Sequence, residues 1–192
     1  MRILVSNEYI NEKLNIQPVT KDRLSKMKEE PSVDENARKF IEDNNLKWNP
    51  VTKSYDCGGD VKVSEDIVID GKLKIRFGKV GGDFVCSNNR LTSLKGAPQE
   101  VGGSFHCSRN NLTTLEGAPN KVGRHFYCDN NRLTSLEGAP NEVGGYFYCR
   151  NNNLTSLEGA PQEVSGDFYC GYNPNLVLPK TKPSWLKGKT IN

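Results

Sequence analysis

A chain of 192 residues has room for one ordinary domain, or for a repeat array with a short appendage, and not for two large domains. Its 26 basic and 23 acidic residues leave a formal charge of +3, too balanced for a nucleic-acid glove, and no apolar run approaches the roughly eighteen residues of a membrane span. The opening Met1 to Ile10 carries Ser6, Asn7 and Glu8 where a secretory leader needs an apolar core, so a cytoplasmic protein with no membrane association is expected.

In chain order, residues 1–45 read as a helical or tethering region. Thr20 to Glu30 and Ser32 to Asn44 are expected helices, separated by Pro31, the second opened by a capping box of Ser32 with Glu35. Ile10, Leu14 and Ile16 either pack with Leu24, Met27, Phe40 and Ile41 as a small pad or belong to a loose tether. Residues 46–79 read as a linker and a degenerate capping coil. There Gly59-Asp60-Val61-Lys62-Val63 mimics Gly82-Asp83-Phe84-Val85-Cys86 23 residues later, with Asp66 and Val68 in the slots of Asn89 and Leu91.

Residues 80–178 are a repeat. Five copies begin at Val80, Val101, Val122, Val143 and Val164, each step being 21 residues, in the frame V-G-G-x-F-x-C-x-x-N-x-L-T-x-L-x-G-A-P-x-x. In the third copy Phe126 and Cys128 stand two apart and so face inward from one short strand, while His125, Tyr127 and Asp129 face outward. Asn131 is placed to bond backbone as the chain leaves the strand, Leu133 and Leu136 fill the interior, and Gly138 and Pro140 turn the chain. With 21 residues per coil there is no room for a full helix on the return side. In the last copy an extra residue near Pro174 moves the leucine to Leu176, and Leu178-Pro179 is expected to close the array.

The slots of Phe126, Cys128, Asn131, Leu133 and Leu136 resemble the leucine-rich-repeat consensus L-x-L-x-x-N-x-L-x-x-L, and the N-x-L-T-S-L-E-G-A-P run is similar to short repeats of bacterial effectors and of bacteriophage proteins. The stretch Ile10 to Val19 is also similar to the N-termini of large-phage proteins. The resemblance implies an α/β solenoid, mostly β: a right-handed leucine-rich-repeat coil with one parallel strand per repeat. For function it implies no single activity, because such repeats serve many partners.

Cys86, Cys107, Cys128, Cys149 and Cys170 share one inward slot, a spacing that offers no close pair for zinc and reads as free thiols acting as core hydrophobes; Cys57, outside the series, is expected partly exposed. No metal, cofactor or catalytic site is read: His106, His125, Asp129 and Ser108 lack an oxyanion loop, and Gly188-Lys189-Thr190 lacks the upstream glycine of a phosphate loop. The tail, residues 179–192, carries Lys180, Lys182, Lys187 and Lys189 and no acid, whereas residues 80–178 carry 7 basic and 9 acidic residues.

The functional expectation rests on the outward strand positions. Val85, His106, Tyr127, Tyr148 and Tyr169 form the middle column; Asp83, Ser104, His125, Tyr146 and Asp167 flank it on one side, and Ser87, Ser108, Asp129, Arg150 and Gly171 on the other. Tyrosines with an arginine are the residues of interface hot spots. A non-catalytic protein-binding module is therefore expected, using the concave strand face and, if phage-encoded, acting on a host cytosolic protein. The alternatives are a nucleic-acid or nucleotide binder with Arg109, Arg132 and Arg150 on phosphate, against which the slightly acidic array argues, or a structural part of a virion or assembly.

Overall fold

The computed structural model describes residues 29–187. The chain divides into two compact units, Met1–Pro31 and Ser32–Asn192, and the described residues fall almost wholly in the second. Ile10, Leu14, Ile16 and most of the expected Thr20 to Glu30 helix lie outside them.

The second unit opens with helix α1 (Glu35–Asp43). The expected Ser32–Glu35 capping box does not form; Asp34 is the N-cap, its carboxylate accepting the Ala37 N–H at 2.8 Å. Ala37, Phe40 and Ile41 are the buried face of α1, and Phe40 meets the Phe77 ring edge-on at 6.2 Å.

Beyond α1 the chain coils, and each coil lays down two strands, not only the expected one. The first set forms a seven-stranded sheet: the antiparallel pair Lys47–Asn49 and Ser54–Cys57, then Phe77–Val80, Glu100–Val101, Lys121–Val122, Glu142–Val143 and Glu163–Val164 in parallel. The second forms a six-stranded parallel sheet from Val61–Lys62, Phe84–Val85, Phe105–His106, Phe126–Tyr127, Phe147–Tyr148 and Phe168–Tyr169. Register is the 21-residue repeat itself: Val122 lies between Val101 and Val143, and Phe126 between Phe105 and Phe147.

The valine sheet and the phenylalanine sheet face one another across a continuous apolar interior. Val101, Val122 and Val143 contribute from one side, the Phe and Cys slots from the other, and Leu91, Leu112, Leu133 and Leu154 close the coil, all of them buried. From Phe84 to Phe168 the rings stack face to face with centroids 4.8–5.5 Å apart. The four-residue step between the sheets needs glycine: a Cβ on Gly123 would lie 2.1 Å from the Gly102 carbonyl oxygen. At the far turn Gly138 has φ 85, and its Cβ would meet the Glu116 nitrogen at 2.4 Å.

Asparagine locks coil to coil. Asn131 donates to the carbonyls of Cys128 in its own coil and Cys107 in the one before, both at 3.1 Å, and accepts the N–H of Leu112 at 3.1 Å. Asn110, Asn152 and Asn173 make the same set. The residue before each ladder asparagine stands in left-handed backbone: Asn88, Arg109, Asn130, Asn151 and Tyr172 have φ 52–60.

Both ends are capped differently from expectation. At the N-terminal end Glu65–Ile67 is a 3-10 turn that buries Ile67, leaving Asp66 exposed and Val68 half-buried in the slots assigned to them. Cys57 is buried too, opposite Val80 in the valine sheet, its thiol donating to the Asn44 carbonyl at 3.5 Å. At the C-terminal end Leu178 is 44% exposed and closes nothing. The chain returns instead at Trp185 and Leu186: Val164 N–H donates to Trp185 O at 2.8 Å, Lys187 N–H to Val164 O at 2.7 Å, and the Trp185 ring covers Phe168 at 5.1 Å. The described residues contain no helix long and apolar enough to cross a membrane.

Replacing Asn131 by Leu strands the Leu112 N–H inside the core and removes one of the two asparagine donors on each of the Cys107 and Cys128 carbonyls, which keep Asn110 and Asn152, and is expected to lower the urea-measured stability by about 1–3 kcal/mol. In the opposite direction, Arg109→Asn places a residue that tolerates left-handed backbone at that turn and is expected to raise stability by about 0.5–1 kcal/mol in the same assay.

Candidate functional site

The outward side of the phenylalanine sheet carries the aromatic positions. A parallel sheet sets neighbouring strands about 4.8 Å apart, close to the separation of stacked rings, so identical columns of aromatics lie face to face. His106 stacks on Tyr127 at 4.5 Å, Tyr127 on Tyr148 at 4.7 Å and Tyr148 on Tyr169 at 4.6 Å, all within 12° of parallel. A second, shorter stack of His125 on Tyr146 at 4.9 Å runs alongside and meets the first edge-on, with His125 to Tyr127 at 6.0 Å and Tyr146 to Tyr148 at 6.1 Å. The Arg150 guanidinium lies over the Tyr169 ring, 4.6 Å from its centroid.

The structure brings His106, His125, Tyr127, Asp129, Tyr146, Tyr148, Arg150, Asp167 and Tyr169 onto this one side of the sheet, half-buried apart from Tyr146, which is 39% exposed. Ser104, read from sequence as outward, is buried at 5% exposure. Inside each stack the ring faces are covered by neighbouring rings, so the free parts there are ring edges and phenol hydroxyls.

Sequence reasoning missed a second duty in the flanking column. The strands are only two residues long, and at four of them the N–H just before the strand pairs with a side chain of the preceding coil. Asp60 accepts from Asp83 N at 2.7 Å, Asp83 from Ser104 N at 2.6 Å, Ser104 from His125 N at 3.4 Å, and His125 Nδ1 from Tyr146 N at 2.9 Å. A His125 that accepts at Nδ1 carries its ring proton on Nε2. The signal was present: Asp60, Asp83, Ser104 and His125 differ in shape and charge, yet each offers an acceptor. On the other flank Asp129 accepts the Arg150 N–H at 2.9 Å.

Burial governs the charges here. It pushes the Tyr127 and Tyr148 phenols upward, so both remain neutral donors, and raises the Asp129 carboxyl against the opposing hydrogen bond from the Arg150 N–H. His106 is lowered, chiefly by burial; Asp83 pulls it back up and His125 pushes it further down. The buried thiols of Cys86, Cys107, Cys128 and Cys149 are all raised by desolvation, and Cys107 and Cys128 donate S–H to the Tyr127 and Tyr148 carbonyls at 3.3 and 3.2 Å. Protonated thiols spent on backbone are core groups, poorly suited to hold a metal.

The fold is that of a parallel β-solenoid with an aromatic stripe on one of its two long sheets. No family model matches the chain, and neither does any curated protein or solved structure.

Because the folded His106 binds its proton less readily than the unfolded chain does, the unfolded state takes up protons first as pH falls, and stability is lost below about pH 6.5. The His106→Phe variant keeps a ring on Tyr127 and removes the titration. Urea midpoints measured at about pH 7.5 and 5.5 are expected to fall further for the parent chain than for the variant.

Proposed function

We propose that the protein is a non-catalytic binding module that engages a protein partner through the aromatic side of its phenylalanine sheet. The observation that carries this reading is the stripe itself: Tyr127, Tyr148 and Tyr169 in one stack, Tyr146 exposed beside it, and Arg150, Asp129 and Asp167 at its border. Preordered aromatics lose little side-chain freedom when a partner covers them, and neutral phenols supply hydrogen bonds along a fixed row. The resemblance to short leucine-rich repeats of bacteriophage and bacterial effectors supports a cytosolic protein that acts on a host protein.

The geometry weighs against base stacking. An inserted base needs a free ring face, or about 7 Å between two rings, and these rings stand 4.5–4.7 Å apart on strands that backbone hydrogen bonds hold together. Within the stack, nucleobases can reach only ring edges.

The test preserves the stack. A variant with Tyr127, Tyr148 and Tyr169 changed to Phe, combined with Tyr146→Ala and Arg150→Ala, keeps the stacked rings and is expected to unfold within a few degrees of the parent. In affinity capture from the native cell, the protein retained by the parent chain is expected to be lost from the variant; capture of the same protein in equal amount by both would refute the reading.

A further inference from the structure

A second feature lies away from the aromatic stripe, where the capping region meets the first full coil. From Lys72 to Phe77 the chain alternates: Ile75 and Phe77 are buried and Leu73 packs against the core, while Lys72, Lys74 and Arg76 fall on the intervening positions. The bonds from Thr92 N–H to Gly71 O at 2.9 Å and from Phe77 N–H to Gly96 O at 2.7 Å fasten this segment to the first coil's turn. Lys95 is thereby brought to the same place. The four cations surround an open groove of about 470 Å³, which no acidic side chain lines. Its floor is apolar, made by Leu73, Ile75 and Ala97. Lys74 is engaged by Asp34 at 3.0 Å, whereas among the described residues Lys72, Arg76 and Lys95 have no ion-pair partner.

The repeat supplies an internal control for Lys95. The equivalent slot holds Glu116, Glu137 and Glu158 in the next three coils. The turn is the same in all four: each residue's N–H donates to the hydroxyl two positions earlier, Lys95 to Ser93 at 3.1 Å, Glu116 to Thr114 at 3.2 Å, Glu137 to Ser135 at 3.4 Å and Glu158 to Ser156 at 3.2 Å. The backbone therefore accepts either charge. The cation stands only in the coil where the slot opens onto the basic groove.

We propose that this groove binds an organic phosphate, with the phosphate held by Lys72, Arg76 and Lys95 and an apolar body resting on Leu73, Ile75 and Ala97. Three unpaired cations exceed what one carboxylate can neutralise, while a phosphate monoester brings about −1.5 to −2 charges and oxygens that suit the guanidinium fork. The groove's volume lies within the range of small-ligand sites, about 300–1,000 Å³. The site is separate from the proposed partner surface and does not depend on it.

The probe is 1-naphthyl phosphate, titrated calorimetrically into the full 192-residue chain, with inorganic phosphate as comparator. One-to-one saturable binding is expected, about tenfold tighter than for inorganic phosphate because of the apolar floor. Lys95→Glu installs the residue that three other coils carry in the same turn, so the fold is retained, and it is expected to weaken the probe about tenfold or more. Arg76→Gln is expected to act likewise, and Lys121→Gln, remote from the groove, to leave binding unchanged. Absence of saturable binding, equal affinity for both phosphates, or a Lys95→Glu variant with parental affinity and an unchanged melting temperature would each overturn the proposal.

Discussion

A strand of two residues holds nothing by itself, and in this solenoid every strand of the repeated coils beyond the first is that short. What stabilises a coil is the coil beside it, and the link that makes the stacking specific is the buried asparagine. Its carboxamide joins two neighbouring Cys carbonyls and the following Leu N–H of the preceding coil, satisfying groups that a two-residue ladder leaves over. Because each side chain spans the boundary between coils, the 21-residue period cannot slip by even one position without stranding buried polar groups. The identical rungs of Phe, Cys, Val and Leu follow from that constraint, since an invariant register forces like onto like.

The same constraint organises the outside. Outward residues at one slot sit a strand spacing apart, so aromatic substitutions at that slot become ring stacks with no further design. Stack and sheet reinforce one another, which makes the stripe rigid before any partner arrives. The flanking column is freer in identity than in chemistry as far as His125, because Asp60, Asp83, Ser104 and His125 each accept the next coil's N–H; His125 does so with a ring nitrogen where Asp83 uses a carboxylate. Variation between coils is therefore of two kinds. Tyr146 and Arg150 depart from counterparts that accept a backbone N–H, and Lys95 stands in a turn that holds Glu in three other coils; those are the positions with the greatest room for function.

Much of this was legible in the sequence. The inward Phe and Cys, the asparagine rung and the outward aromatics all follow from two-residue alternation and the 21-residue step. The valine strands were not, because a lone Val beside Glu or Lys is too short to show a period, and their partner strand lies in another coil. The paired asparagines concealed two jobs, the left-handed turn at Asn130 and the ladder at Asn131, of which sequence spacing marked only the second. The caps were misread for a physical reason: they obey local geometry and not the repeat. Asp34 outcompeted Ser32 because it stands directly before the first helical turn, Ile67 took the interior place that alignment gave to Val68, and Trp185 closed an end that the register had assigned to Leu178.

The ladder's role can be measured residue by residue through amide hydrogen exchange. The N–H groups of Leu112, Leu133 and Leu154, each donated to the next coil's asparagine at 3.0–3.1 Å, are expected to exchange only when the whole array unfolds, with a free energy equal to the global value from denaturant. Exchange of those three amides at the rate of exposed turn residues, with the array still folded, would contradict the account.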